Sequence, residues 1–288
     1  MYSQVPQAPP AVLAIAASDP SGGAGIQADL LTLASMGCHP LSVLTAITVQ
    51  NTSGVEELLP LDADWVADQA RCILEDVPVA AFKVGVLGSV DVASAVAEVI
   101  ADYPDVPLIL DPVLASGRGD ELAGEDLIEA LREMLIPQTT ILTPNTMELR
   151  RLIEDDGFEL DEDAPVDQAA MASHLIGMGC EYVLVTGTHA ASADVINVLY
   201  HSEGEFRRDA WPRLPGSYHG SGCTLASAVA AMLARGLDIG DAVREAQEYT
   251  WQTLKSGYRI GMGQRLPDRL FWARDAADEA DAGGEDSA

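Results

Sequence analysis

The stretch with the clearest chemical potential is His219-Gly220-Ser221-Gly222-Cys223-Thr224, which runs into an alanine-rich segment. Glycines let a backbone approach an anion closely. The first N–H groups of a helix have no internal partners and point at whatever sits at its start. Gly220, Ser221 and Gly222 would thus form an anion hole without lysine. A glycine-rich helix start with no ligand is the plainer reading, and local sequence leaves both open. Cys223 at that helix start shifts the balance toward an anion site. A thiol at the positive end of a helix dipole is expected to ionise more readily, although a small buried hydrophobe is the commoner fate of cysteine.

Two further places could carry chemistry. Ala17-Ser18-Asp19-Pro20-Ser21-Gly22-Gly23-Ala24-Gly25 follows an apolar run and opens a helical pattern, where α/β proteins place ligands. Asp19 and Ser21 also suit ordinary turn and cap positions. Asn145-x-x-Glu148 reads as an N-cap and its capping-box partner, and the spacing sets both on one face of a helix start. Neither a G-x-x-x-x-G-K-[ST] loop nor a G-x-G-x-x-G pattern occurs, so any phosphate must be held by another device.

These loops need a frame. Strands are expected at 11–17, 41–50, 79–87, 107–111, 139–143 and 181–186, with an antiparallel addition at 194–200. Helices are expected at 24–36, 63–75, 90–102, 124–135, 145–154, 166–178, 222–235 and 239–256. Strands alternating with helices imply an α/β fold, a mainly parallel central sheet with helices on both faces. No period of 20–50 residues and no long linker interrupts it. The expected division is a flexible arm at 1–10, one domain at 11–274 and a disordered tail at 275–288.

The chain has 288 residues, 48% of them hydrophobic, and a formal net charge of −29. Such a surface repels nucleic acid and anionic membranes, so neither is an expected partner. It also repels nucleotides, so local cations and helix N-termini must overcome that field. Lysine occurs only at Lys83 and Lys255. Adaptation to a saline cytoplasm and simple lineage composition explain the acidity equally well. The scattered Cys38, Cys72, Cys180 and Cys223 suit a reduced cytoplasmic protein. The N-terminus lacks a basic region before its apolar stretch, and no apolar run approaches the roughly 20 residues of a membrane span.

The segments SDPSGGAGIQADL, TAITVQNTSGV, ILDPV, TPNTMEL and HGSGCTLASA, in that order, resemble the hydroxymethylpyrimidine/phosphomethylpyrimidine kinases of thiamine biosynthesis over about residues 11–272. The resemblance implies a ribokinase-like fold, ATP, Mg²⁺, a small aminopyrimidine alcohol as substrate, and a homodimer. It implies two steps: phosphorylation of 4-amino-5-hydroxymethyl-2-methylpyrimidine, then of its monophosphate. It assigns Cys223 as base and the N–H groups of Gly220, Ser221 and Gly222 as anion hole. Gln50 would bond the aminopyrimidine, since an amide offers donor and acceptor together, and Ala17, Asp19, Val86 and Val113 would surround the ring. Glu148 and Asp111 would serve Mg²⁺, supported by Asn145.

Some positions depart from the family pattern. Ala17 stands for a frequent Gly, Val86 for Met and Thr186 for Lys. Arg118 is the cation left in the loop 115–120, and Gly261-Met262-Gly263-Gln264 replaces Gly-His-Gly-Pro. A pyridoxal or pyridoxine kinase on the same fold is the alternative enzyme. A pyrimidine-binding regulatory protein without catalysis is the alternative from another class.

Residues 275–288 carry too little apolar surface to offset their ordering entropy. Deleting them is expected to leave the melting temperature and turnover nearly unchanged. A large loss of either would show that the tail docks on the domain.

Overall fold

The computed structural model describes residues 8–116, 119, 122–154, 156, 167–187 and 192–274. Most of the expected arm, part of the loop around Arg118, and the tail lie outside them. Pro10, the last residue of the arm, accepts a hydrogen bond from the His39 N–H.

Eight strands form one sheet in the order β10-β9-β8-β7-β6-β5-β1-β2. The parallel part comprises β1 (Ala11–Ala16), β2 (His39–Leu44), β5 (Val79–Val84), β6 (Leu108–Leu110), β7 (Ile141–Leu142) and β8 (Tyr182–Val185). β9 (Asp194–His201) adds antiparallel to β8, as the sequence suggests, and β10 (Gly204–Pro212) extends the antiparallel edge.

Alternating side chains divide the core in two. Leu13, Ile15, Phe82, Val84, Leu108 and Leu110 point to one face. There they meet buried residues of α2 (Ala63–Asp76), α3 (Val90–Ala101), α4 (Glu125–Ala130), α5 (Thr146–Ile153) and α6 (Gln168–Gly177). Val12, Ala14, Ala81, Ile109 and Ile141 point to the other face, against α1 (Gly25–Ser35), α7 (Ser221–Ala234) and α8 (Ile239–Lys255). This is the period of two that a sheet covered on both sides requires.

The strand expected at 41–50 is two strands. β2 ends at Leu44, and β3 (Ala46–Asn51) leaves the sheet to pair with β4 (Gly54–Pro60) as a separate hairpin. Thr45 is the pivot. Its N–H donates to Ala16 O, its Oγ1 to Val86 O at 2.6 Å, and its carbonyl accepts from Leu61 N. The hairpin alternates in exposure, with Ile47, Val49 and Leu59 facing outward. An irregularity between Val49 and Gln50 re-aims Gln50, as bulges do. The expected helix at 124–135 also changes form: α4 stops at Ala130 and passes into a π turn at Leu131–Leu135.

β1 lies between β2 and β5, so the order of the parallel strands reverses there. Ligands of open α/β sheets bind outside the carboxyl ends of strands at such a point. Ala17 follows β1, Val86 follows β5, Asp111 and Val113 follow β6, and Asn145 follows β7. One edge of the sheet thus presents most of the residues the sequence singles out.

Candidate active site

The first loop is built around Asp19, which is almost wholly buried. Its carboxylate accepts from Ser21 N at 2.8 Å, from Ala24 N at 2.7 Å and from His219 Nε2 at 2.8 Å. Burial opposes its ionisation, but the His219, Ser21 and Ala24 bonds outweigh that and hold its carboxyl below the usual range. Asp19 is therefore a turn organiser with its oxygens already engaged. Ala17 is buried between neighbours, its N–H on Val86 O and its carbonyl on Ile26 N.

His219 joins this loop to the hairpin. Its Nε2 lies 2.8 Å from Asp19 Oδ2 and 2.9 Å from Gln50 Nε2. The Gln50 Oε1 is 3.1 Å from Thr48 Oγ1, which donates to Ser18 O at 2.8 Å. Gln50 and His219 line a cleft with Asn51, Thr52, Ser116 and Gln264. Val86 and Val113 line a second cleft with Asp111. Gln50 is thus in one cleft and Val86 and Val113 in the other, while Ala17 and Asp19 line neither. Gly117, Arg118 and Asp120 lie outside the described residues.

Gly220 takes φ +80°, and a Cβ there would overlap the carbonyl oxygen of Gly23. Only glycine suits both the left-handed backbone and the close approach. α7 then begins at Ser221, so Gly220 is its N-cap and no side chain caps it. The free N–H groups of the first turn remain available at the sheet's carboxyl edge.

Beneath that turn lies a charged cluster that the sequence reading missed. Lys83, on β5, has 0% exposure. Its Nζ sits 2.9 Å and 3.0 Å from the two oxygens of Asp29 and 3.8 Å from Asp111 Oδ2. Asp29 Oδ1 also accepts from Ser227 Oγ at 2.7 Å, which ties α1 to α7. Burial disfavours the Lys83 charge, but Asp29, Cys223 and Asp111 outweigh it and raise its pKa. A lysine within the apolar run AAFKVGV was the available signal, because an unpaired charge is rarely buried in a strand.

Cys223 is buried, and burial pushes its thiol up to about 12; Lys83 pulls it down, while Asp111 and Asp29 add to the rise. The sequence argument weighs only the helix start; in this setting desolvation and the nearby carboxylates favour the neutral thiol. Glu148 forms the capping box with Asn145. Its Oε2 accepts from Asn145 N at 2.9 Å, and Asn145 Oδ1 accepts from Met147 N and Glu148 N. Burial, reinforced by the Asp111 charge, lifts Glu148 to about 8. Asp111 is raised by its own burial, and its Oδ2 is a buried oxygen without a hydrogen-bond partner.

Arg269 was missed as well. Its guanidinium, nearly buried, donates to the carbonyls of Gly22, Gly23 and Gly220 and to Thr224 Oγ1. Nothing in its local sequence, PDRLF, distinguishes it from a surface arginine.

The comparisons agree with this geometry. Residues 19–268 match the family model described as phosphomethylpyrimidine kinase. The chain belongs to that family. A hydroxymethylpyrimidine/phosphomethylpyrimidine kinase of Streptomyces coelicolor is 40% identical over 259 residues, covering 90% of this chain and 93% of that one. A phosphomethylpyrimidine kinase structure from Clostridium difficile has a TM-score of 0.72 at 32% identity, over 85% of this chain and 99% of that one. An ADP complex of Bacillus subtilis pyridoxal kinase has a TM-score of 0.81 at 30% identity, over 91% and 98%. The fold is ribokinase-like and the chain is a phosphotransferase, similar over most of its length to proteins named hydroxymethylpyrimidine/phosphomethylpyrimidine kinase. Among the described residues, no helix is long and apolar enough to cross a membrane.

Gly220→Ala tests the turn. A left-handed backbone costs a residue with a Cβ about 1–2 kcal/mol, and the overlap with Gly23 adds to this. Lower stability in a urea melt, together with a collapse of turnover, is the expected outcome. Wild-type values for both would mean that the two loops separate freely.

Proposed function

We propose that ATP is the phosphoryl donor and that the transferred group sits on the N–H groups of Gly220, Ser221 and Gly222, with Mg²⁺ held near Asp111 and Glu148. The observation that carries this reading is the uncapped first turn of α7, set at the sheet's carboxyl edge, where a Cβ on Gly222 would lie 3.7 Å from Asp111 Oδ1. The ADP complex of the Bacillus subtilis relative supports nucleotide use.

The carboxyl pair fits a divalent cation. Asp111 Oδ2 is a buried oxygen with no hydrogen-bond partner and only the Lys83 charge 3.8 Å away, and the Asp111 charge opposes ionisation of Glu148. A cation between them would relieve both. Among the described residues no group of three or more His, Cys, Asp or Glu gathers as a metal site. Mg²⁺ commonly keeps waters and takes only one or two carboxylates. When bound, it would neutralise charge on the phosphates.

In this reading Gln50 bonds the pyrimidine edge, with Ala17, Val86 and Val113 around the ring and Asp19 shaping the loop. Asn145 holds Glu148 in place. Cys223 handles the acceptor proton beside Asp111, whose carboxylate is close enough to interact with the thiol. The catalytic unit is one domain over 11–274, working in the cytoplasm as a homodimer. The outward face of the hairpin, carrying Ile47, Val49 and Leu59, is compatible with a second copy. Pyridoxal kinase activity is the second reading, favoured by the TM-score of 0.81 to the Bacillus subtilis enzyme.

An ATP-consumption assay with hydroxymethylpyrimidine, its monophosphate and pyridoxal tests the assignment directly. Turnover of pyridoxal alone would replace the pyrimidine reading with the second one. Within that assay, Glu148→Gln is expected to raise the Mg²⁺ concentration needed for half-maximal rate, with little change in pyrimidine KM. An unmoved Mg²⁺ titration would leave Glu148 as a helix cap only.

Cys223→Ala separates the two phosphorylations. The first acceptor is an alcohol that keeps its proton at neutral pH. The second is a phosphate monoester, mostly dianionic at pH 7 because its second pKa is near 6. Proton-transfer assistance is typically worth about 10²–10⁴-fold. The variant is expected to lose about that factor in the first step and far less in the second, read by single-turnover rates. Equal losses would assign Cys223 to loop geometry instead.

A further inference from the structure

Arg269 lies beyond α8, and its side chain returns beneath both glycine loops. Nη2 donates to Gly23 O at 2.6 Å and to Gly220 O at 3.4 Å. Nη1 donates to Gly22 O at 3.3 Å and Nε to Thr224 Oγ1 at 3.1 Å. All four acceptors are uncharged. The residue is 4% exposed. Among the described residues no carboxylate forms an ion pair with it, and the adjacent Asp268 pairs with Arg274 at 2.6 Å. Lys83 differs in this respect, since Asp29 and Asp111 offset its charge.

A buried cation without a counter-charge is costly to keep. Carbonyl oxygens satisfy its donors but do not neutralise it, and Asp29, already paired with Lys83, acts on it without an ion pair. That charge lies under the first turn of α7, whose free N–H groups carry partial charge of the same sign. Two independent positive features therefore sit at one place, in a chain of net charge −29 that has no P-loop lysine.

We propose that Arg269 is a positioning residue for phosphoryl transfer: its guanidinium staples the Gly22-Gly23 loop to the Gly220 turn and supplies the positive field that holds the transferred group there. The role rests on the anion-hole reading of Gly220–Gly222. It explains how an acidic, lysine-poor surface surrounds a site for a polyanion. The guanidinium acts from behind the backbone and need not touch the phosphate.

Two variants separate charge from scaffolding. Arg269→Lys keeps the charge with a poorer fork of donors, and Arg269→Gln keeps donors without charge. The readout is the ratio of affinities for AMP-PCP and ADP by calorimetry, which needs no turnover, with melting temperatures recorded alongside. Arg269→Gln is expected to lose AMP-PCP affinity on the order of tenfold more than ADP affinity. Its kcat should fall while pyrimidine KM holds. Arg269→Lys should keep the wild-type ratio within about threefold. A folded Arg269→Gln with an unchanged ratio overturns the proposal, as does an equal loss of the ratio in both variants, which would leave a scaffold alone. Should Arg269→Gln fail to fold, Arg269→Lys decides: a retained ratio supports the role of charge and a lost one overturns it. If wild type itself shows no preference for AMP-PCP, the anion-hole reading falls and this proposal with it, an outcome distinct from a wild-type preference that survives in the variants.

Discussion

The contact between the Gly23 and Gly220 backbones is the constraint on which the site turns. The two loops are nearly 200 residues apart in sequence and touch without side chains between them. Their approach brings the carboxyl end of β1 to the start of α7. It also brings His219 within hydrogen-bond reach of Asp19 and Gln50, so the pyrimidine side and the phosphate side of the proposed site share one joint. A Cβ on Gly23 would in turn run into His219 and Leu266. Glycine is required on both sides of the joint for packing, and at Gly220 for its backbone angle as well.

The sequence made the layers and the main motifs legible, because they rest on local rules. Runs such as AVLAIA and LIL are apolar on both faces and read as buried parallel strands. The capping box at Asn145 and Glu148 formed as its spacing suggests. What was not legible depended on distant partners. Nothing within LSVLTAITVQ announces that Thr45 will be held from Ala16, Leu61 and Val86, turning one apolar run into two strands of different sheets. β4 and β10 are mixed in polarity and strand-forming only through their partners. Lys83 and Arg269 are likewise defined by groups far away in the chain: Asp29 and Ser227 for one, the glycine carbonyls for the other.

Cys223 shows how a sound local rule can lose to its setting. The start of a helix does favour a thiolate, but the rule presumes partial exposure. Here burial removes water, and Asp111 and Asp29 add repulsion, so the pull of Lys83 is not enough. A neutral thiol is a poor resting base. It is well suited to stand beside phosphate oxygens, where a thiolate would add to the repulsion.

The same reasoning extends to the whole site. Asp29 and Asp111 are buried acids, and Lys83 and Arg269 are buried bases. Lys83 offsets Asp29 and Asp111 only in part, Asp19 is a further buried carboxylate, and Arg269 bonds to uncharged groups, while burial holds Cys223 neutral and carries Glu148 toward its protonated form. The surface acids act on this interior only weakly, since charges separated by more than about 8–10 Å of saline are largely screened. A nucleotide phosphate accompanied by a divalent cation is less negative than the free one and meets less repulsion from these buried carboxylates. An unaccompanied triphosphate would meet the buried carboxylates directly. The pairing of acids and cations around α7 therefore favours the metal-bound form of the donor over the free form, and it does so without help from the outer surface.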